Sequence, residues 1–261
     1  MIAGKTVSVD LYNSSNAQEM EQDFKGKTVL VTGAGWGIGA ATALLYAAYG
    51  AKVIVSDTSR KGGKDTLAKI KKQKGHATYI KTDVSNAAAC KELIKRTIQT
   101  YGSIDIACNN FAIFAKPFHP ADGDIESYDN QKDLNLTGLN NCVQYEIEAM
   151  QKQGGGVIVN TSSIMGAIGL AASSQYIEAK YGVVTLLQKV PGEYPTIHIN
   201  TIAPAFIDTA LLKDMIQKET EGGIKLFPID KHGSIQEVAG LVLWLSSNGT
   251  HLLSTVFNDT N

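Results

Sequence analysis

The chain has 261 residues, 24 of them Lys or Arg and 25 Asp or Glu, for a formal charge of −1. Without a basic field, nucleic acid is not an expected partner. No apolar run approaches the roughly 18 residues of a membrane span, and the N-terminus has no basic region leading into an apolar core, so neither a membrane nor a secretory route is expected.

Taken in order, residues 1–24 are polar and acidic with weak periodicity and are expected to form an arm without chemistry. From residue 25 to 261 the pattern alternates strand and helix within one domain. Predicted strands are Lys27–Val31, Ala51–Ser56, Ala77–Lys81, Ile104–Cys108, Val157–Asn160, Ile197–Ile202 and Leu252–Phe257. Between them the spacing predicts helices over 40–49, 61–73, 87–100, 125–150, 174–190 and 235–246, with a less ordered stretch over 208–233. The alternation implies an α/β fold, a doubly wound, seven-stranded parallel sheet with helices on both faces. In such a sheet ligands bind outside the carboxyl ends of the strands. Gly33, Asp57, Asp83, Asn110, Ser163 and Pro204 follow strand ends and are expected to face one crevice.

The first strand leads into Thr32-Gly33-Ala34-Gly35-Trp36-Gly37-Ile38-Gly39 and then a helical pattern. A strand, a glycine turn and a helix start form a pyrophosphate cradle, because first-turn amides lack partners and the helix dipole favours anions. Gly33 permits the sharp exit from the strand, Gly37 admits phosphate without a Cβ in the way, and Gly39 allows close helix–strand packing. The second strand ends at Asp57, 24 positions beyond Gly33, about where a carboxylate is expected to accept from the adenosine ribose. Further on, Tyr176 and Lys180 share a helix face, and Ser163 follows the fifth strand, so the three converge on the nucleotide mouth.

These residues resemble the classical short-chain dehydrogenase/reductase family over about 26–259. The matching motifs are Thr32-Gly33-x-x-x-Gly37-x-Gly39, Asp83-Val84, Asn109-Asn110, Asn135-Leu136-Thr137-Gly138, Asn160-Thr161-Ser162-Ser163, Tyr176-x-x-x-Lys180, and Asn200 followed by Pro204 and Thr209. The resemblance implies a catalytic tetrad of Asn135, Ser163, Tyr176 and Lys180. It also implies dinucleotide contacts from Gly33, Gly35, Trp36, Gly37, Ile38, Gly39, Asp57, Thr58, Asp83, Val84, Asn110, Tyr176, Lys180, Pro204, Ile207 and Thr209.

The implied reaction is hydride transfer between a nicotinamide and a secondary alcohol or ketone, with Tyr176 as general acid/base. A phenol titrates near pH 10, so work near pH 7 needs a shift of about three units, or about 4 kcal/mol. One cation about 4 Å away at an effective dielectric near 20 supplies that much, which is the role expected of Lys180. Ser163 is expected to hold the substrate oxygen, and Asn135 to position a water linking Lys180 to solvent. Asp57 argues for NAD over NADP, because a 2′-phosphate would face its carboxylate. Trp36 points the same way, standing where NADP-using members often carry a basic residue. Arg60 and Lys61 read as a solvated helix start.

The chain departs from the family pattern at Phe111-Ala112, which follows Asn110 where Ala-Gly is usual, and at Ala205, where Gly is usual. If Ala205 had positive φ it would cost on the order of 1 kcal/mol. Pro191-Gly192 is expected to end the Tyr176 helix early, and Asp259-Thr260-Asn261 replaces the usual Asp-Gly-Gly. The pocket candidates Phe111, Phe114, Ile164, Met165, Leu211 and Phe227 suggest a hydrophobic or cyclic substrate. The histidines show no metal-ligand spacing, so no catalytic metal is expected. Cys90, Cys108 and Cys142 are scattered, which fits a reduced, cytoplasmic protein with three buried or semi-buried thiols. By resemblance the helices over 125–150 and after Ser174 pair copies into a homotetramer or homodimer. A second reading, motivated by the altered loops, is a regulatory protein on the same fold that holds the nucleotide with little turnover.

Overall fold

The computed structural model describes residues 22–112, 133–164, 180–182, 193–210, 233–247 and 256–258. Its strands are β1 Thr28–Thr32, β2 Lys52–Asp57, β3 His76–Lys81, β4 Ile106–Asn109, β5 Gly156–Thr161, β6 Ile197–Ala203 and β7 Val256–Asn258. They form one sheet in the order β3-β2-β1-β4-β5-β6-β7, parallel at every pairing. The longer helices among the described residues are α1 Gly37–Ala48, α2 Arg60–Lys72, α3 Ala87–Tyr101, α4 Gly138–Gln153 and α5 Ile235–Ser246.

The central strands β1, β2 and β4 are buried on both faces, as their apolar runs require. Alternate side chains feed two cores. Val29, Val31, Val53 and Val55 pack with Tyr46 of α1 and Val242 of α5, while Leu30 and Ile54 pack with Leu93 of α3 and Val143 of α4. Phe24, at the edge of the arm, is fully buried and meets the Tyr46 ring edge-on at 5.2 Å between centroids. Residues 1–21 of the arm lie outside the described residues.

Element bounds shift for local reasons. The fourth strand starts at Ile106 rather than Ile104, because the Asp105 carboxylate takes the Thr28 amide at 2.7 Å before the ladder begins. The helix expected over 125–150 is divided where it is described: a single π-helical turn, Asp133–Thr137, precedes α4, and 125–132 lie outside the described residues. α4 also runs past Met150 to Gln153 and stops at Gly154, whose φ of +98° suits a residue without a Cβ. Of the helix expected over 174–190, only 180–182 are described, and they are helical. The predicted strand positions 252–255, and nearly all of 208–233 after Ala210, are likewise outside.

From β1 the chain moves outward through β2 and β3, then returns to β4 on the other side of β1. Strand order therefore reverses between β1 and β4, and a crevice opens at their carboxyl ends. No helix of the described residues is long and apolar enough to cross a membrane.

Candidate active site

The crevice is built first by glycines. Gly33 leaves β1 with φ of +63°, and a Cβ on it would lie 2.7 Å from the Phe111 backbone across the switch point. A Cβ on Gly39 would strike the Gly33 carbonyl and come within 2.7 Å of the Asn110 side-chain nitrogen, so α1 can seat against β1 and β4 only with glycine there. Gly37 has φ of +52°, and a Cβ there would find Thr209 Cγ2 at 3.8 Å and, among the described residues, nothing nearer. The loop after β6 thus places Thr209 across the mouth from the glycine turn. At the start of α1 Trp36 makes no side-chain cap and the first turn has no acidic residue. That leaves a helix N-terminus suited to an anion.

Asp57 ends β2 beside the glycine turn. Its Oδ2 accepts from the Gly35 amide at 2.8 Å and its Oδ1 from the Ser59 amide at 2.7 Å. The carboxylate is thereby pinned between the glycine turn and α2, with lone pairs left for ribose hydroxyls. Thr58 beside it is exposed. Asp83 is exposed and accepts from the Ser85 amide and hydroxyl, while Val84 is buried and its carbonyl takes the Asn141 amide nitrogen at 3.0 Å. Pro204 follows β6, and its carbonyl accepts from the Ile164 amide. Ile207 is buried and pairs with Gly233. The crevice fits a dinucleotide on these observations: a Gly37 clear of the described residues, an uncapped helix start and a fixed carboxylate at the expected separation.

Three of the four tetrad positions are described. Lys180 is 2 % exposed, and its Nζ donates to the Thr161 carbonyl at the end of β5, at 3.0 Å. Burial lowers its ammonium to about 8, from an ordinary 10.5. The Lys180 carbonyl in turn accepts from Ser162 Oγ at 2.7 Å, so helix and strand end are clasped at both groups. Ser163, the next residue, is half-buried. Asn135 is 1 % exposed on the π-helical turn, a wider turn that is common at functional sites. Its neighbour Leu136 packs on Gly182, where a Cβ would lie 3.1 Å from Leu136 Cδ1. The Asn135 turn and the Lys180 helix therefore meet. Tyr176 lies outside the described residues, as do Phe114, Met165, Leu211 and Phe227 of the expected pocket.

Both described departures from the family pattern are accommodated. Ala205 is not among the residues with positive φ, so the conditional strain does not arise. The Phe111 ring packs toward Val84, Cys90 and Cys142, in space left by Gly138, where a Cβ would be 3.3 Å from Phe111 Cε2.

Sequence reasoning missed the supports. Thr161 and Ser162 hold Lys180, and their place within the serine motif was the available signal. Thr32 Oγ1 donates to Asn109 Oδ1 at 3.1 Å, and Asn109 Nδ2 donates to Asn160 Oδ1 at 3.1 Å and to Glu146 Oε2 at 2.9 Å. This buried chain binds the carboxyl ends of β1, β4 and β5 beneath the crevice. Polar residues at matching ends of adjacent strands were the signal there. A separate groove lined by Asp23, Lys27, Asp105 and His198 opens at the amino ends of the strands, away from this chemistry.

Residues 27–220 match the short chain dehydrogenase family. The chain is 35% identical over 231 residues to a cyclohexanol dehydrogenase of Acinetobacter sp. (strain SE19), covering 88% of this chain and 91% of that one. It is 32% identical over 240 residues to a 2,5-dichloro-2,5-cyclohexadiene-1,4-diol dehydrogenase of Sphingobium indicum, covering 89% and 94%. The fold superposes on an NAD+-bound xylitol dehydrogenase with a TM-score of 0.84 at 25% identity, covering 89% and 96%. With its sheet, glycine turn and tethered lysine in place, the chain belongs to the classical short-chain dehydrogenase/reductase family and is an oxidoreductase acting on a CH–OH group.

Proposed function

We propose that the chain is an NAD-dependent dehydrogenase acting on a secondary alcohol or ketone, hydrophobic or cyclic, with Asn135, Ser163, Tyr176 and Lys180 as its catalytic residues. The observation that carries this reading is the buried ammonium of Lys180, tied to Thr161 at 3.0 Å beside Ser163. Asp57 supports NAD over NADP, as does the NAD+ bound by the xylitol dehydrogenase of like fold. The ring-bearing substrates in the names of the two relatives support a cyclic alcohol.

In reduction Tyr176 gives its phenolic proton to the substrate oxygen; in oxidation its phenolate accepts the hydroxyl proton. A lysine titrating at about 8 keeps its charge at pH 7. That charge is what brings the phenol down by the required three units or so. Ser163 donates to the substrate oxygen as negative charge builds there. Asn135 holds the water through which Lys180 exchanges protons with solvent. When bound, the dinucleotide supplies or accepts the hydride, and Gly33, Gly35, Trp36, Gly37, Ile38, Gly39, Thr58, Asp83, Val84, Asn110, Pro204, Ile207 and Thr209 line its path.

The test is a spectrophotometric panel of cyclic and linear secondary alcohols and ketones with NAD(H) and NADP(H). Turnover of cyclic alcohols with NAD supports the reading. No turnover despite tight NADH binding favours the regulatory, nucleotide-holding reading instead. A homotetramer or homodimer is the proposed assembly, and a light-scattering mass of one 27.9 kDa chain would contradict it. The three free, buried cysteines support a reducing, cytoplasmic setting.

A further inference from the structure

Eight of the chain's 24 Lys and Arg fall within residues 60–81, against one carboxylate, Asp65. That carboxylate is taken by Lys61 at 2.9 Å. Lys64, Lys69, Lys71, Lys72 and Lys74 are exposed and have no ion pair among the described residues. The other face of α2, with Gly62, Gly63, Thr66 and Ile70, is buried, so the lysines look outward along a helix of 13 residues, about 20 Å in length. The helix dipole favours Lys69, Lys71 and Lys72 in the last turn. It does not call for a lysine at 74, which lies past the helix with φ of +62° and is the only non-glycine residue with positive φ among the described residues. Glycine takes that conformation freely and a lysine does not, so the cationic line is extended at some cost. At the other end of α2 stands Trp36, 55 % exposed, its indole resting on Gly62 and its centroid 5.6 Å from the Lys61 ammonium.

We infer that the outer face of α2, from Trp36 at one end to Lys74 at the other, docks on an anionic lipid surface. The lysines stand over the headgroups, and the indole, apolar in its ring and polar at its N–H, suits the boundary between headgroup and acyl chain. Such attachment lies on a bilayer and needs no spanning segment. The whole chain carries a formal charge of −1, so the surface outside this stretch is acidic and turns away from the lipid. Nucleic acid is the other polyanion to weigh. Seven of the eight cations are Lys, point charges without the fork that grips a phosphate. α2 is packed along its length and cannot enter a groove, and one indole at its end offers no row of stacking platforms.

The test is co-sedimentation of the purified full chain with phosphatidylcholine vesicles, with and without about 30 % phosphatidylserine. The chain should sediment with the anionic vesicles alone, and raising the salt to about 0.5 M should release it. Lys69→Gln, Lys71→Gln, Lys72→Gln and Lys74→Gln together should weaken partitioning at least tenfold, since each lysine near an anionic surface is worth roughly fivefold. Lys91→Gln, Lys95→Gln, Arg96→Gln and Lys152→Gln remove the same charge from α3 and α4, and binding should stay within about threefold. All eight positions are exposed, and thermal melts confirm that both variants are folded. Equal binding to the two lipid mixtures overturns the proposal, as do equal losses in the two variants, because net charge rather than this face is then acting. Failure to sediment overturns it too, and retention of that protein on immobilised RNA gives the face to nucleic acid instead.

Discussion

Glu146 is fully buried in α4 beneath the crevice. One oxygen accepts from Asn109 at 2.9 Å; the other, Oε1, has no hydrogen-bond partner among the described residues. Burial raises its carboxyl from 4.5 to about 7, with the Asn109 bond opposing. The groups facing it are the Cys108 and Cys142 thiols, both pushed up by their surroundings and neutral at these pH values. Because the folded value lies above the unfolded one, the native state binds the extra proton between them. Its relative stabilisation is complete below pH 4.5 and is lost as pH rises to about 7. The span of about 2.5 units corresponds to about 3 kcal/mol. Glu146→Gln keeps the shape and stays neutral, so its stability relative to wild type should improve by about 3 kcal/mol between pH 4.5 and 7.5. Any cost of the amide's second group is present at both pH values and cancels. Urea midpoints at fixed protein concentration measure this. Two stability profiles running parallel across that range would refute the assignment of a buried, titrating carboxyl.

Other substitutions probe the crevice itself. Lys180→Met should lower kcat about 10³-fold at pH 7, the equivalent of the three units lent to Tyr176. The lysine's folded value is depressed, so its burial costs stability below pH 8 and that cost fades from 8 to 10.5. The variant should therefore melt no lower than wild type at pH 7, separating activity from stability. Gly39→Ala should cost about 3 kcal/mol and abolish dinucleotide binding, since its Cβ strikes backbone. Gly102→Ala has φ of +94° but open space, and thermal melting should register only about 1 kcal/mol. A thiol reagent should label none of Cys90, Cys108 or Cys142 in the native protein within minutes, and all three after denaturation, because all three are buried out of its reach.

Strand positions were readable because each strand of a covered parallel sheet is an apolar run, and the glycine turn because its Cβ-free positions have distinct steric reasons. Bounds slipped where a side chain replaced the backbone ladder, as Asp105 does at the start of β4. Periodicity could not foresee the π-helical turn at Asn135, whose Leu136 packs against Gly182 beside Lys180. Nor could it distinguish Glu146 from its exposed neighbour Glu148, since the two differ only in which face of α4 they occupy. Gly62 reads as an ordinary helix residue until α2 folds back beside the glycine turn, where a Cβ on it would lie 2.7 Å from Trp36 Cε2.

In the proposed reaction a phenol activated by Lys180 carries the proton. Single-turnover hydride transfer by Tyr176→Phe, with NADH affinity measured on the same sample, tests it most directly. A loss of about 10³-fold or more with NADH still bound is the predicted result, and a rate within tenfold of wild type would contradict it.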